Sequence, residues 1–387
     1  MKNICIISET LNNYQILKPL MKEIQKDDSV YLTAVSTGKH QSSEFEITYR
    51  RVEEEGFIID EKTNIVFNAK KNSSQQDLVD FEQLEYDRLL KQLKPEIIIL
   101  SGNSHETFCA AVAASMNNIP IAHIQGGESK LKTWDDSYGY GITKLSHLHF
   151  TSTEKYRRQV IRSGEHAETV FNVGSLLIEK IKTQPLRGKS LFLNETGFKK
   201  NDKFIFIYFQ PDVSKGSKNA HMFNEVLESL DDGRLDSFRL LFNKPKASGL
   251  GKMIIRMIDD FTLNTGGRAV SLPFMSLPDL SRAIKYCSAM VGNSSEGLVM
   301  APSFKTPVVD LGDRQKDRVK AQNIIECHSK KEEIICAIQN GLSSDFKHFI
   351  KDKPSPFEQP SPARRIKDII RGFKQSDIRK KNFPVLN

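Results

Sequence analysis

One short stretch of this sequence gathers His123, Glu128, Asp135, Asp136 and Lys144. An apolar run ends in HIQGGE, and SKLKTWDDSYGYGITK follows directly. Carboxylates in such a cluster take or deliver protons, and a nearby cation favours departure of an anion. Gln125, at the turn itself, stands where a charge is expected. Its amide donates and accepts hydrogen bonds but cannot shuttle a proton near pH 7.

A second cluster is Gly292-Asn293-Ser294-Ser295, which ends an apolar run and opens a segment with helical spacing. Two hydroxyls and unsatisfied backbone N–H groups at the positive end of a helix bind phosphate. The plainer alternative is that Ser294 only caps the helix. Downstream, LGDRQKDRVKAQN places Arg314, Gln315 and Arg318 after another strand end. Arg314 and Arg318 are four apart, so one helical face holds both. A bound diphosphate and a solvated charged loop account for them equally.

Strand-like runs at 3–8, 30–36, 96–102 and 120–127 alternate with helix-period segments at 14–24, 43–55, 105–116 and 136–146. The rhythm lapses over 182–201 and restarts with runs at 203–209, 238–242, 269–273, 289–295 and 307–312. Such alternation predicts βαβ units and parallel sheets. We therefore expect an N-terminal Rossmann-like domain over 1–181, a linker over 182–201 and a second such domain over 202–352. A Pro-rich segment and basic tail occupy 353–387, placed to brace the first domain. Two doubly wound domains facing a central cleft would present the carboxyl ends of their strands to a ligand.

The 387 residues suit two cores, and 39% hydrophobic with 27% charged residues describes a globular chain. No apolar run reaches the ~18 residues of a membrane span. The opening MKNICIISET reads as a strand and is too short for a signal-peptide core, so a cytoplasmic location is expected. Five scattered cysteines without a C-x-x-C pair suit reduced thiols better than a disulfide frame or metal site. The net charge is +8, of which residues 363–387 supply +6. A terminal excess argues against nucleic acid and suits a solvated helix, an acidic partner or an anionic membrane surface.

Longer motifs carry a family resemblance: STGKH (36–40), AHIQGGE (122–128), DDSYGYGITKLSHLHFTSTEKYRRQVI (135–161), VFNVGS (170–175) and VGNSSEGLVMAPSFKTPVVDLGDRQKDR (291–318). The chain resembles the hydrolysing UDP-N-acetylglucosamine 2-epimerases of sialic-acid-type sugar biosynthesis, which have the two-domain GT-B fold. The resemblance implies elimination of UDP and addition of water to the resulting glycal, with no metal or other cofactor. It implies a UDP-sugar ligand and a homodimer. The residue reading and the resemblance together give the binding candidates His123, Lys144, Gly292, Asn293, Ser294, Ser295, Glu296, Arg314, Gln315 and Arg318.

Several family positions are substituted. The Gly-Asp-Arg after the fourth strand is Gly102-Asn103-Ser104, the Glu or His of the HI-GGE element is Gln125, and the Arg-His after the paired acids is Gly139-Tyr140. The His-Pro of the second domain is Gln210-Pro211, the ribose-holding Glu is Met300, and the Arg-Ala-Asp after strand one is Leu11-Asn12-Asn13. The remaining proton-handling candidates are Asp135, Asp136, Glu128 and Asp212, the last otherwise a plain surface-loop residue, and Glu296 either substitutes for the missing ribose contact or complements the positive end of its helix. Three readings stand: a family enzyme, a GT-B glycosyltransferase using another donor such as a CMP-sugar, and a catalytically silent paralogue that binds and regulates.

Overall fold

In the first half of the chain, strands buried on both faces line up in parallel, as apolar runs joined by crossover helices must. The structure is a computed structural model and describes residues 1–36, 61–62, 75–128, 134–247 and 249–374. The helix expected at 43–55, residues 37–40 of STGKH, the end of the basic tail and the side chains of Leu11, Asn12 and Asp135 lie outside what it describes.

The chain forms two compact units, Met1–Lys180 with Phe357–Asn387, and Ile181–Pro356. The first holds β1 (Lys2–Ser8), β2 (Val30–Ser36), β3 (Glu61–Lys62), β4 (Ile97–Ser101), β5 (Ile121–Ile124), β6 (Leu148–Thr151) and β7 (Val170–Asn172). Their order is β3-β2-β1-β4-β5-β6-β7, every pairing parallel. The second holds β8 (Phe204–Tyr208), β9 (Arg239–Asn243), β10 (Ala269–Leu272), β11 (Ala289–Gly292), β12 (Val308–Leu311) and β13 (Ile324–Cys327). Their order is β10-β9-β8-β11-β12-β13, again all parallel. Both orders reverse direction beside the first strand, the doubly wound pattern in which ligands bind outside the carboxyl strand ends at the switch point. In the first unit that point lies between β1 and β4, in the second between β8 and β11.

The stretch 182–201, expected as a bare linker, carries the helix Lys189–Glu195 with Phe192 and Leu193 buried. Arg314 and Arg318, expected on one helical face, lie in successive turns after β12. The strand β13 and the helix Lys331–Leu342 follow, although neither stands out in the sequence.

The helix Pro362–Gly372 packs on the helix Leu11–Gln25, where Ala363, Ile366 and Ile370 join one apolar cluster with Leu17, Leu20, Met21 and Ile24. Its charges are partly consumed within the unit, because Lys367 and Arg371 each lie 3.0 Å from Asp27 Oδ2. The Ser29 and Lys367 hydrogen bonds hold the Asp27 carboxyl well below the usual range. A depressed carboxylate contributes its full stabilisation above its unfolded pKa of about 4, and loses it progressively as the pH falls from there through the lower pKa of the folded state. The urea midpoint of Asp27→Asn should therefore fall short of wild type at pH 6, and the shortfall should narrow markedly near pH 2. An equal midpoint difference at both values would refute this.

Candidate functional site

A hollow of about 410 Å³, open to solvent, lies in the first unit at the ends of β4 and β5. Asn103, His123, Gln125, Glu128, Asp136 and Thr143 line it, together with Gly126, Gly127, Gly139 and Tyr140. The helix Trp134–Leu145 supplies Asp136, Gly139, Tyr140 and Thr143, spaced so that one face turns inward. That spacing was visible in the sequence and would have grouped Thr143 with Asp136.

His123 is buried, and its Nε2 lies 2.9 Å from the Gly102 carbonyl. A carbonyl only accepts, so Nε2 carries the hydrogen. Nδ1 faces the Thr143 hydroxyl at 3.4 Å, and that hydroxyl donates to Gly139 O at 2.9 Å. The ring thus ties β5 to the end of β4 and to the helix behind the hollow. The glycine pair after it is required by space. A Cβ on Gly126 would sit 3.0 Å from His123 Nδ1, and one on Gly127 would sit 2.7 Å from Tyr156 O at a backbone φ of +79°.

Gln125 faces the hollow from a left-handed backbone, φ +66°, uncommon outside glycine and asparagine. Its N–H continues the sheet to Phe150 O at 2.8 Å, and its Oε1 accepts from Ser101 Oγ at 3.3 Å. Glu128 accepts from Ser152 Oγ at 2.6 Å, and Asp136 is buried against the same hollow. Gly139 answers Asn103, since a Cβ there would lie 3.1 Å from Asn103 Cβ. Lys144 is turned elsewhere. It pairs with Glu165 at 3.0 Å, a carboxylate shared with the buried His149, and does not line the hollow.

In the second unit the switch point is clamped by Asn293. Its side chain accepts from Gln210 N at 2.7 Å and donates to Gln210 O at 2.9 Å. Its own carbonyl accepts from Arg314 Nη1 and Gln315 Nε2, both at 2.8 Å. Asn293 and Gln315 are thereby engaged in holding the turn, and sequence reasoning did not anticipate that use. Burial pushes the Arg314 guanidinium down, and Glu296 opposes the shift.

Ser294 occupies the N-cap position of the helix Ser295–Phe304 but makes no side-chain capping bond. Its hydroxyl is buried without a hydrogen-bond partner. The simple capping alternative is therefore not what this serine does. Ser295 donates to Glu296 at 3.3 Å. Met300 is fully buried, so that position faces the core. Asp212 accepts from Ser214 N at 2.9 Å and Ser214 Oγ at 2.7 Å, the bonds of a loop-capping residue. The Gln210 and Asn243 side chains both reach the Tyr208 hydroxyl, whose pKa burial raises.

None of the five cysteines, all of them among the described residues, is in a disulfide, and Cys5 and Cys109 are buried. Among the described residues no helix is long and apolar enough to cross a membrane.

Two parallel units of this winding, each with polar side chains at its switch point, define an α/β protein of the GT-B type. A family model described as UDP-N-acetylglucosamine 2-epimerase matches residues 22–371, and the chain belongs to that family. A Campylobacter jejuni protein named GDP/UDP-N,N'-diacetylbacillosamine 2-epimerase (hydrolyzing) is 30% identical over 383 residues, 99% of this chain and 98% of that protein. The Escherichia coli polysialic acid biosynthesis protein P7 is 28% identical over 375 residues, 96% of this chain and 95% of that protein. The crystal structure of UDP-GlcNAc 2-epimerase from Neisseria meningitidis bound to UDP-GlcNAc shares the fold. Its TM-score is 0.79 at 17% identity, covering 96% of this chain and 99% of that one.

Proposed function

We propose that this chain is a hydrolysing 2-epimerase of a UDP-linked 2-acetamido sugar, supplying a free amino sugar for nonulosonic acid or surface polysaccharide synthesis. The observation that carries the reading is the hollow itself, which brings Glu128 and Asp136 together with Asn103, His123 and Gln125 in a chain of this family. Asp136 is the base that removes the proton on carbon 2 as the carbon 1–oxygen bond to UDP breaks, leaving a glycal. Water then adds its hydroxyl to carbon 1 while a proton returns to carbon 2 on the opposite face, with Glu128 handling the proton of the water.

Gln125 and Asn103 donate hydrogen bonds to sugar oxygens, and His123 positions the turn. In the second unit, the buried Ser294 hydroxyl, the helix N-terminus and Arg314 have the chemistry that a diphosphate needs. Support for a 2,4-diacetamido sugar comes from the name of the Campylobacter relative, and support for the pathway comes from that of the Escherichia relative.

Proton NMR of the protein with UDP-N-acetylglucosamine, and separately with UDP-N,N'-diacetylbacillosamine, in deuterated buffer tests this. Free UDP and a 2-epimer deuterated at carbon 2 are expected from at least one donor. Intact spectra with both donors at high protein concentration would remove the enzyme reading. Saturation transfer to an unreacted donor would then favour the binding-only paralogue, for which the loss of titratable groups at Asn103 and Gln125 already speaks.

A further inference from the structure

Beside the hollow, on the far side of Asn103, lies a polar cluster that the reaction does not use. Glu82 comes from the helix Gln75–Leu93, and His105 and Glu106 open the helix His105–Met116. His105 Nε2 is 3.3 Å from Glu82 Oε2, and His105 Nδ1 is 3.1 Å from Glu106 Oε2. One ligand atom from each residue lies within 4.8 Å of the others, and among the described residues this is the one such group of metal-ligating type. Both glutamates are nine-tenths or more buried.

We propose that Glu82, His105 and Glu106 bind a divalent cation of the zinc or manganese class. Imidazole with two carboxylates is a borderline donor set, which suits these ions better than calcium or magnesium. Metal–ligand bonds of 2.0–2.1 Å place tetrahedral ligands about 3.3 Å apart, the spacing that Glu82 and the His105 ring have. Glu106 offers an oxygen within 4.8 Å of both other ligand atoms, and water would complete the set.

A second observation points the same way. Glu82 Oε2 is buried and accepts no hydrogen bond, although His105 Nε2 is 3.3 Å away. An imidazolium salt bridge would aim its N–H at that oxygen, whereas an ion between the two needs no such alignment. Negative charge is also in excess here. Glu9, at the end of β1, accepts from the Ser104 hydroxyl at 2.7 Å and from the Thr107 hydroxyl. Burial, followed by the charges of Glu82, Glu106 and Glu9, drives the Cys109 thiol up to about 12.

The cation would pin two helices at the β1–β4 switch point, two residues from Asn103. Tyr138, on the helix that carries Asp136, packs on Phe108 at 5.6 Å and approaches the His105 ring at 6.4 Å. The ion is thus a positioning element for the wall of the hollow, and its existence does not depend on the activity proposed above.

Calorimetric titration of the chelator-treated full chain with ZnCl2 and MnCl2, with MgCl2 as control, tests the proposal. One equivalent of zinc or manganese should bind saturably, raise the thermal midpoint and bind more weakly as the pH falls from about 7.5 to 5.5 and His105 protonates. Glu82→Gln and His105→Gln should each weaken binding by about 10-fold or more, with circular dichroism verifying the fold. No saturable binding to the wild type, or binding unchanged in His105→Gln, would overturn the site. An NMR titration in which His105 is a charged imidazolium at pH 7.5 and indifferent to zinc would overturn it as well, leaving a proton in the role given to the ion.

Discussion

Asp136→Asn is expected to lower turnover by about 100- to 10,000-fold, the range for loss of a general acid–base group, while leaving nucleotide-sugar binding within a few-fold of wild type. The substitution keeps the volume and the hydrogen-bonding shape of a buried side chain near the N-terminus of the helix Trp134–Leu145. Helix-end charge at a partly buried position contributes up to about 2 kcal/mol, a loss the fold should survive. Single-turnover release of UDP, read beside a binding titration, separates the two effects. A variant that turns over within threefold of wild type would remove Asp136 from the chemistry and shift the proton to Glu128. Gln125→Glu is the reciprocal experiment. It adds a carboxylate to the same hollow and should raise turnover of UDP-N-acetylglucosamine by about 10-fold or more if proton transfer limits the rate.

Gly292→Ala should destabilise the second unit by about 3 kcal/mol or more, because a methyl group there meets backbone that cannot turn aside. The added Cβ would stand 2.0 Å from Tyr208 O and 2.7 Å from Tyr208 C. Gly292 and Tyr208 are register partners of β11 and β8, so relief requires parting the two strands at the switch point. The Asn293 clamp on Gln210 would be pulled with them. Gly297→Ala is the control, since its Cβ would meet the flexible Met290 side chain at 3.2–3.3 Å and Val308 Cγ1 at 3.3 Å. Helix propensity favours alanine at that position by about 1 kcal/mol, so its net effect should be small. Urea unfolding followed by a probe in the second unit should show a lowered midpoint for Gly292→Ala alone. Equal midpoints for the two variants would show that β8 and β11 yield at their ends.

The elements were largely legible because their signals are local. Continuous apolar runs such as KFIFIYF and EIIILSG became β8 and β4, and amphipathic spacing located the helices His105–Met116 and Trp134–Leu145. The strand β13 was missed because IIEC is short, partly exposed and bordered by charge, so neither alternation nor a continuous apolar run marks it. The helical placement of Arg314 and Arg318 failed for a related reason. Spacing of four is compatible with a helix, but the Asp-Arg-Gln-Lys-Asp run forms turns held to Asn293 instead.

By itself the sequence determined two parallel α/β units, the family, and the substitutions at Asn103, Gln125, Gln210 and Met300. These follow from local periodicity and from motif identity, which need no coordinates. Only the tertiary structure decided which side chains share a space. It turned Lys144 to Glu165, engaged Asn293 with Gln210, left the Ser294 hydroxyl buried without a partner, and brought Glu82 to His105 and Glu106. Each of those outcomes depends on partners from different elements, set by how helices cross a sheet. No spacing along one segment encodes where a second segment will place its carboxylate.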